Sequence, residues 1–247
     1  MNFTVLRFDT IESTNDEALR QARAGAAEGL CIVADRQTAG RGRHGRAWVS
    51  AKGSGLYFSA VLRPRLDARL VPLITLMTGV AVHDTLQTFG LKPDIKWVND
   101  VLIGDKKISG ILAEAVETPS GLAVVVGIGI NVTSADFPED IAESATSIKA
   151  ETRQTIAMSE LEAALVRSLG YFYDMLTGEH GPAQILAEWG QRSSYFFGKS
   201  VRVVLGNEAF TGVTDGVEPT GALRVRTPDG EVRIVNAGDV QRLRSSD

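Results

Sequence analysis

The chain has 247 residues, 30 of them acidic and 26 basic, giving a net charge of −4. That length suits one large or two unequal domains with an ample core, and a 44% hydrophobic content describes an ordinary globular protein. Net acidity argues against a protein that coats nucleic acid, which demands a broad basic face. The single cysteine, Cys31, excludes an intrachain disulfide and fits the cytoplasm. No apolar run approaches the ~20 residues of a membrane span, and the N-terminus lacks the basic start and apolar core of a signal peptide. His44, His83 and His180 make no metal-ligand spacing, and no Ser/His/Asp arrangement is visible.

Alternation from Phe3 to Phe8 predicts a first strand. Thr14-Asn15-Asp16-Glu17 reads as a capping box, with Thr14 capping a short helix and Glu17 reaching back. Leu30 to Asp35, with Cys31 as a packing residue, and Leu56 to Leu62 read as strands. Val71 to Phe89 reads as a long amphipathic helix ended by Gly90 and Pro93. Asp94 to Trp97 is strand-like, with Ile95 and Trp97 on one face. Ile108 to Val116 and Leu122 to Val132 form two further strands joined at Pro119-Ser120-Gly121. Ser159 to Leu176, capped by Ser159 with Glu162 three residues on, and Pro182 to Trp189 are helical. After Gly190, short strands at 201–205, 209–214, 223–226 and 232–235 predict a compact all-β module. If the strand Gly127 to Val132 were a sheet edge, it would invite pairing into a homodimer.

Three clusters carry chemistry. Gly40-Arg41-Gly42-Arg43-His44-Gly45-Arg46-Ala47-Trp48 lies in a span from Arg36 to Leu66 that has no Asp or Glu. Guanidinium forks suit bidentate anions, phosphate above all. A glycine-rich loop is costly to order, and an anionic ligand would offset that cost. The spacing matches a dinucleotide fingerprint formally, but no helix pattern follows it, and there is no P-loop sequence. The second cluster is Lys96-Trp97-Val98-Asn99-Asp100 with Lys106-Lys107-Ile108-Ser109-Gly110-Ile111-Leu112. It offers a carboxylate and an amide for a hydrated magnesium ion, and Lys107 for a pocket at the mouth of a strand. Read singly, these are a turn acid and solvated lysines. In the third, Gly127-Ile128-Gly129-Ile130-Asn131, strand glycines mark a bulge or a close approach.

In this order the clusters resemble the biotin protein ligases. That family's pattern of Ser-Thr-Asn, Gln, Gly-Arg-Gly-Arg-x-Gly-Arg-x-Trp, Lys-Trp-Pro-Asn-Asp, Lys-x-x-Gly-Ile-Leu and Gly-x-Gly-Ile-Asn is met by Ser13-Thr14-Asn15, Gln37, Gly40 to Trp48, Lys96 to Asp100, Lys107 to Leu112 and Gly127 to Asn131. Val98 departs from it, standing where proline is usual. The resemblance implies an α+β fold: a mixed-sheet catalytic domain of the class II synthetase-like, biotin–lipoyl ligase type over 1–194, and a small SH3-like β-barrel over 195–247. It implies ATP-dependent activation of biotin to biotinyl-5′-AMP, then transfer to a lysine of a biotin carboxyl carrier protein. The runner-up is a lipoate or octanoate ligase or transferase acting on a lipoyl domain. The short stretch ahead of Ser13 leaves no room for a DNA-binding winged helix, so no DNA partner or repressor activity is expected; lacking a long apolar run, the chain is expected to have no membrane association.

By the same resemblance, biotin is held by Ser13, Thr14, Asn15, Gln37, Gly40, Arg41, Gly42, Arg43, Lys107, Gly110, Leu112 and Gly127. Arg41, Arg43, Arg46, Trp48, Lys96, Asn99, Lys107 and Asn131 serve ATP, and Asp100 serves Mg²⁺. Lys107 and Arg43 are the catalytic pair, Trp48 closes over the adenylate, and the choice between Arg242 and Arg244 as a further nucleotide contact stays open.

Overall fold

The computed structural model describes residues 1–134 and 137–242. Seven strands make the larger sheet: β1 (Thr4–Ile11), β2 (Leu30–Gln37), β3 (Gly55–Leu62), β4 (Asp94–Lys96), β5 (Asp100–Ile103), β6 (Lys106–Thr118) and β7 (Gly121–Asn131). Their order is β1-β2-β3-β7-β6-β5-β4, parallel only between β1 and β2, so the sheet is mixed. β7 therefore lies in the interior of the sheet between β3 and β6. The edge on which a homodimer is expected does not exist at Gly127–Val132.

Helices cover both faces. α1 (Thr14–Arg23) packs on one face over a small cluster of Ala18, Leu19, Ala22, Ile32, Val61, Ala123 and Val125. The main core lies on the other face, beneath α2 (Leu73–Gln87), α5 (Met158–Thr177) and α6 (Gly181–Arg192). Two short helices, α3 (Glu139–Ala142) and α4 (Ile148–Thr152), lie between β7 and α5. α2 is not amphipathic: only Thr75, Asp84 and Gln87 of the helix escape full burial. Its surroundings explain this, because α5, α6, the sheet and Gly221 of the C-terminal unit all abut it. By length and mean hydropathy (1.2) the stretch Ala68–Gln87 would pass for a membrane span, but 67% of it is buried inside the protein. It is a core helix.

Two caps differ from expectation. Ser13, not Thr14, caps α1, accepting from the Asp16 N–H at 3.3 Å, while Glu17 turns to Arg20 and Gln21. α5 begins before Ser159 without a side-chain cap, and Glu162 is buried in a two-pronged pair with Arg7 (2.5 and 2.7 Å). Cys31 is buried as expected, and burial, then the nearby Glu162 charge, pushes its thiol up to about 12. We expect no reaction with a thiol-specific disulfide reagent at pH 8 until denaturant is added. Labelling of the native protein would contradict this packing.

The C-terminal unit is a five-stranded antiparallel, SH3-like sheet of β8 (Phe197–Leu205), β9 (Glu208–Val217), β10 (Leu223–Arg226), β11 (Val232–Val235) and β12 (Asp239–Arg242), in the order β11-β10-β9-β8-β12. The indole of Trp97 donates to the Gly221 carbonyl at 2.9 Å and pins this sheet to the larger unit. Trp97→Phe removes that buried donor, and urea unfolding should show a loss of about 1–3 kcal/mol.

Candidate active site

Strand alternation sets out the site. Leu56, Phe58, Ala60 and Leu62 of β3, and Val124, Val126, Ile128 and Ile130 of β7, face the main core. A period of two therefore puts Tyr57, Ser59, Gly127, Gly129 and Asn131 on the α1 face. After a register shift beside Val101 and Leu102, Gly110 and Leu112 of β6 pair with Gly129 and Gly127. The strand glycines mark close approach, not a bulge, since pairing to both neighbours runs unbroken through them. A methyl at Gly129 would fall 2.3 Å from the Trp48 ring, and one at Gly127 2.1 Å from Asn15 Oδ1.

Above this floor the start of α1 supplies polar groups that are all buried: Ser13, Thr14 and Asn15. Thr14 gives its backbone N–H and hydroxyl to Gln37 Oε1 (2.8 and 3.0 Å), and Gln37 Nε2 donates to Ser50 (2.8 Å). Ser59 Oγ lies 2.8 Å from Thr14 Oγ1 and 2.6 Å from Asn15 Oδ1. Asn15 Nδ2 donates to Glu114 (2.8 Å) and to the Leu112 carbonyl (3.2 Å). The Thr14 hydroxyl thus joins the pocket network because it is not spent on capping.

The arginine-rich segment is not an irregular loop but a tight hairpin. Trp48 N–H donates to Gly40 O (2.8 Å), Arg41 bridges to Ala47, and Gly42 N–H donates to Arg46 O (2.7 Å). Its tip turns through His44 and Gly45 at φ 56° and 73°. Gly40 has no room for a side chain, because a Cβ there would stand 2.6 Å from the Trp48 carbonyl.

The cations fan out from this hairpin. Arg41 bonds Glu114 with both prongs (3.0 and 2.7 Å) and Asp16 at 2.7 Å. Burial works against its charge, but these carboxylates outweigh it and hold its proton more tightly than usual. Arg43 reaches Asn99 Oδ1 at 3.0 Å, and burial pulls it below the ordinary arginine value despite Asp100 and Asp239 nearby. Arg46 pairs with Asp239 of the C-terminal sheet. Burial of Asp239 opposes ionisation, but the Arg46 bond and the charges of Arg46, Lys96 and Arg43 prevail and lower its value. Lys107 Nζ sits 2.6 Å from Asp100 and 5.4 Å from the centre of the Trp48 ring, and Lys96 reaches the other Asp100 oxygen at 3.7 Å. Asn131 binds the Thr146 carbonyl (3.0 Å), tying β7 to the segment before α4. The Trp97–Val98 peptide, at the position of the family's proline, is cis.

Two cavities meet here. The inner one, about 50 Å³, is lined by every residue expected to hold biotin except Gly40, which packs under Trp48. The outer one, about 740 Å³, is lined by Arg43, Arg46, Trp48, Lys96, Asn99, Asp100, Lys107 and Asn131, together with Asp239 and part of the 137–145 segment. Arg41, expected on the nucleotide side, lines only the inner cavity. Gly42, Arg43, Trp48, Asn99 and Lys107 are common to both. Sequence reasoning missed Ser59, Asp16, Glu114 and Asp239; for Ser59 the alternation of β3 was the available signal. The side chain of Arg242 and the whole of Arg244 lie outside the described residues.

Comparison with known proteins places the chain in a family. Residues 7–131 match the biotin/lipoate A/B protein ligase family, and 196–243 match the biotin protein ligase C-terminal domain. The bifunctional ligase/repressor BirA of Bacillus spizizenii is 36% identical, over 93% of this chain and 71% of its own. The biotin–[acetyl-CoA-carboxylase] ligase of Mycobacterium tuberculosis is 33% identical, over 94% of this chain and 86% of its own. The Aquifex aeolicus biotin protein ligase, solved with biotin and ATP, superposes with a TM-score of 0.84 at 27% identity, covering 97% of this chain and 99% of that one. On these matches the chain belongs to the biotin protein ligase family.

Proposed function

We infer that the protein activates biotin with ATP and passes it to a lysine of a carrier protein, and that the wall common to both cavities is where the reacting groups meet. The observation that carries this reading is the position of Lys107: it lines the inner and the outer cavity at once, with its ammonium beside Asp100 and the Trp48 ring. Biotin, a vitamin with an apolar body and a ureido ring needing donors and acceptors, suits the inner cleft of Ser13, Thr14, Asn15 and Gln37. Gly110, Leu112 and Gly127 form its floor. ATP suits the outer cavity, among Arg43, Arg46, Lys96, Asn99 and Asn131.

Attack of a carboxylate on the α-phosphate brings anions together, so cations must offset the repulsion and stabilise in-line transfer. Lys107 would bridge the biotin carboxylate and the α-phosphate, and Arg43 would contact both. Trp48, flat on its glycine floor, would cover the mixed anhydride and exclude water until the acceptor amine attacks. Mg²⁺ needs as few as one protein carboxylate when phosphates supply further ligands. Asp100 meets that minimum on the outer wall and would hold an ion that offsets triphosphate charge. Among the described residues no cluster of three or more His, Cys, Asp or Glu offers an all-protein metal cage. Residues 1–194 thus carry activation, while 195–247 contribute Asp239 to the outer wall. The carrier is a biotin carboxyl carrier protein domain, and we place the reaction in the cytoplasm, where the buried thiol of Cys31 is at home.

Calorimetric titration with biotin, alone and with ATP and magnesium, tests the reading together with biotin-dependent ATP–pyrophosphate exchange. Biotin should bind alone and drive exchange. Lipoate or octanoate driving exchange in its place would overturn the reading; the relatives described above are biotin ligases, and the runner-up is no better supported.

A further inference from the structure

We propose that Glu114 and Asp16 are positioning residues: an acidic latch that grips Arg41, holds the hairpin 40–48 shut, and sets how long the activated intermediate stays bound. The proposal rests on the functional reading above and adds to it two carboxylates that touch no reacting atom.

The latch joins three separate segments. Glu114 comes from β6, Asp16 from the first turn of α1, and Arg41 from the hairpin, through contacts of 3.0, 2.7 and 2.7 Å. A two-pronged guanidinium–carboxylate pair with a second carboxylate on the same nitrogen is the geometry in which an ion pair outgrows the small value of exposed pairs. The inner cavity measures about 50 Å³ with the hairpin in this position, well short of the ~300–1,000 Å³ typical of small-molecule sites. The hairpin supplies Arg41, Gly42, Arg43 and Trp48 to the wall of this cavity, so lifting it widens the cleft and breaks the Arg41 contacts.

Glu114 also links the latch to the pocket. The carboxylate that holds Arg41 accepts from Asn15 Nδ2, and the chain of bonds continues through Ser59, Thr14 and Gln37 to Ser50, whose hydroxyl bonds the Trp48 carbonyl (3.1 Å). The network leaves the hairpin at Arg41 and returns to it beside Trp48, so closure and pocket order reinforce one another. The side chains of Arg41, Glu114 and Asp16 are 38%, 26% and 51% exposed. Water and salt reach the latch, so it is built to open.

Glu114→Gln leaves an amide oxygen for Asn15 while removing the charge, and Asp16→Asn does the same at the helix start. The test measures escape of preformed biotinyl-adenylate after a chase of unlabelled biotin, alongside biotin-dependent pyrophosphate exchange, at low and high salt. Each variant should release the intermediate about fivefold faster, the factor equivalent to ~1 kcal/mol, and the double variant faster still. The maximal exchange rate should stay within threefold of wild type. Escape from the wild type should rise with salt toward that of the double variant, whose own escape should be nearly salt-independent. Equal escape and equal salt dependence in wild type and double variant overturn the latch but leave the ligase reading standing. A wild type without biotin-dependent exchange overturns both.

Discussion

Lys107→Ala should lower biotin-dependent pyrophosphate exchange by about 10²–10³-fold, equivalent to ~3–4 kcal/mol of transition-state stabilisation. Two effects act in the same direction. The ammonium at the wall between the cavities is lost where carboxylate and triphosphate are brought together. Asp100, which loses its 2.6 Å partner and keeps Lys96 at 3.7 Å, also turns from a partner into a further repelling charge. Arginine is not expected to rescue, because its planar fork cannot replace a compact ammonium between Asp100 and the Trp48 ring. Arg43→Ala should behave differently. It removes a half-buried charge that donates to Asn99 at 3.0 Å across the cavity junction, so exchange falls, but the hairpin also loses its hold on that junction. Free biotinyl-AMP should then escape and label bystander amines. Exchange within threefold of wild type in both variants would remove these residues from the site, and wild-type retention by Arg43→Ala would count against the hairpin as a cover.

Parts of the fold and site that depend on local pattern were legible in the sequence. The strands β3 and β7, the turn at Pro119-Ser120 and the glycine-marked floor were all readable, because short apolar runs bounded by turn residues are a local signal. Choices settled by distant groups were not. Ser13 and Thr14 both satisfy a capping pattern, and the decision falls to Gln37 and Ser59, which take the Thr14 hydroxyl. Glu162 fits a cap by its spacing from Ser159, yet Arg7, 155 residues away, draws it into an ion pair. The hairpin's acidic partners are likewise invisible locally: Asp16, Glu114 and Asp239 lie 25, 73 and 193 positions from the arginines they bind. α2 misleads for another reason, since burial on every side leaves no polar stripe to mark which face is inward.

Gly127→Ala should weaken biotin binding by about 10–100-fold, ~1.4–2.7 kcal/mol, while leaving the fold intact. Gly127 does not sit in the left-handed region, so the β7 backbone accepts alanine without strain, and the whole effect comes from the new methyl. That methyl would stand 2.1 Å from Asn15 Oδ1 and 2.8 Å from its Cγ, closer than real Cβ contacts occur. Asn15 must yield, and it is buried at 4% exposure on a helix held by its own backbone bonds. Moving the amide breaks its contacts to Ser59 (2.6 Å), Leu112 (3.2 Å) and Glu114 (2.8 Å), leaving buried polar groups unmatched. Gly121→Ala, at φ 96° on the same strand with open space around it, is the converse: it should cost stability through the backbone and leave biotin affinity unchanged. If the methyl acts through Asn15, the double variant Asn15→Ala/Gly127→Ala should bind biotin no worse than Asn15→Ala alone, because the second substitution finds nothing left to displace. Calorimetric titration of the four proteins decides it: full additivity in the double variant, or wild-type affinity in Gly127→Ala, would show that this amide does not position the ligand.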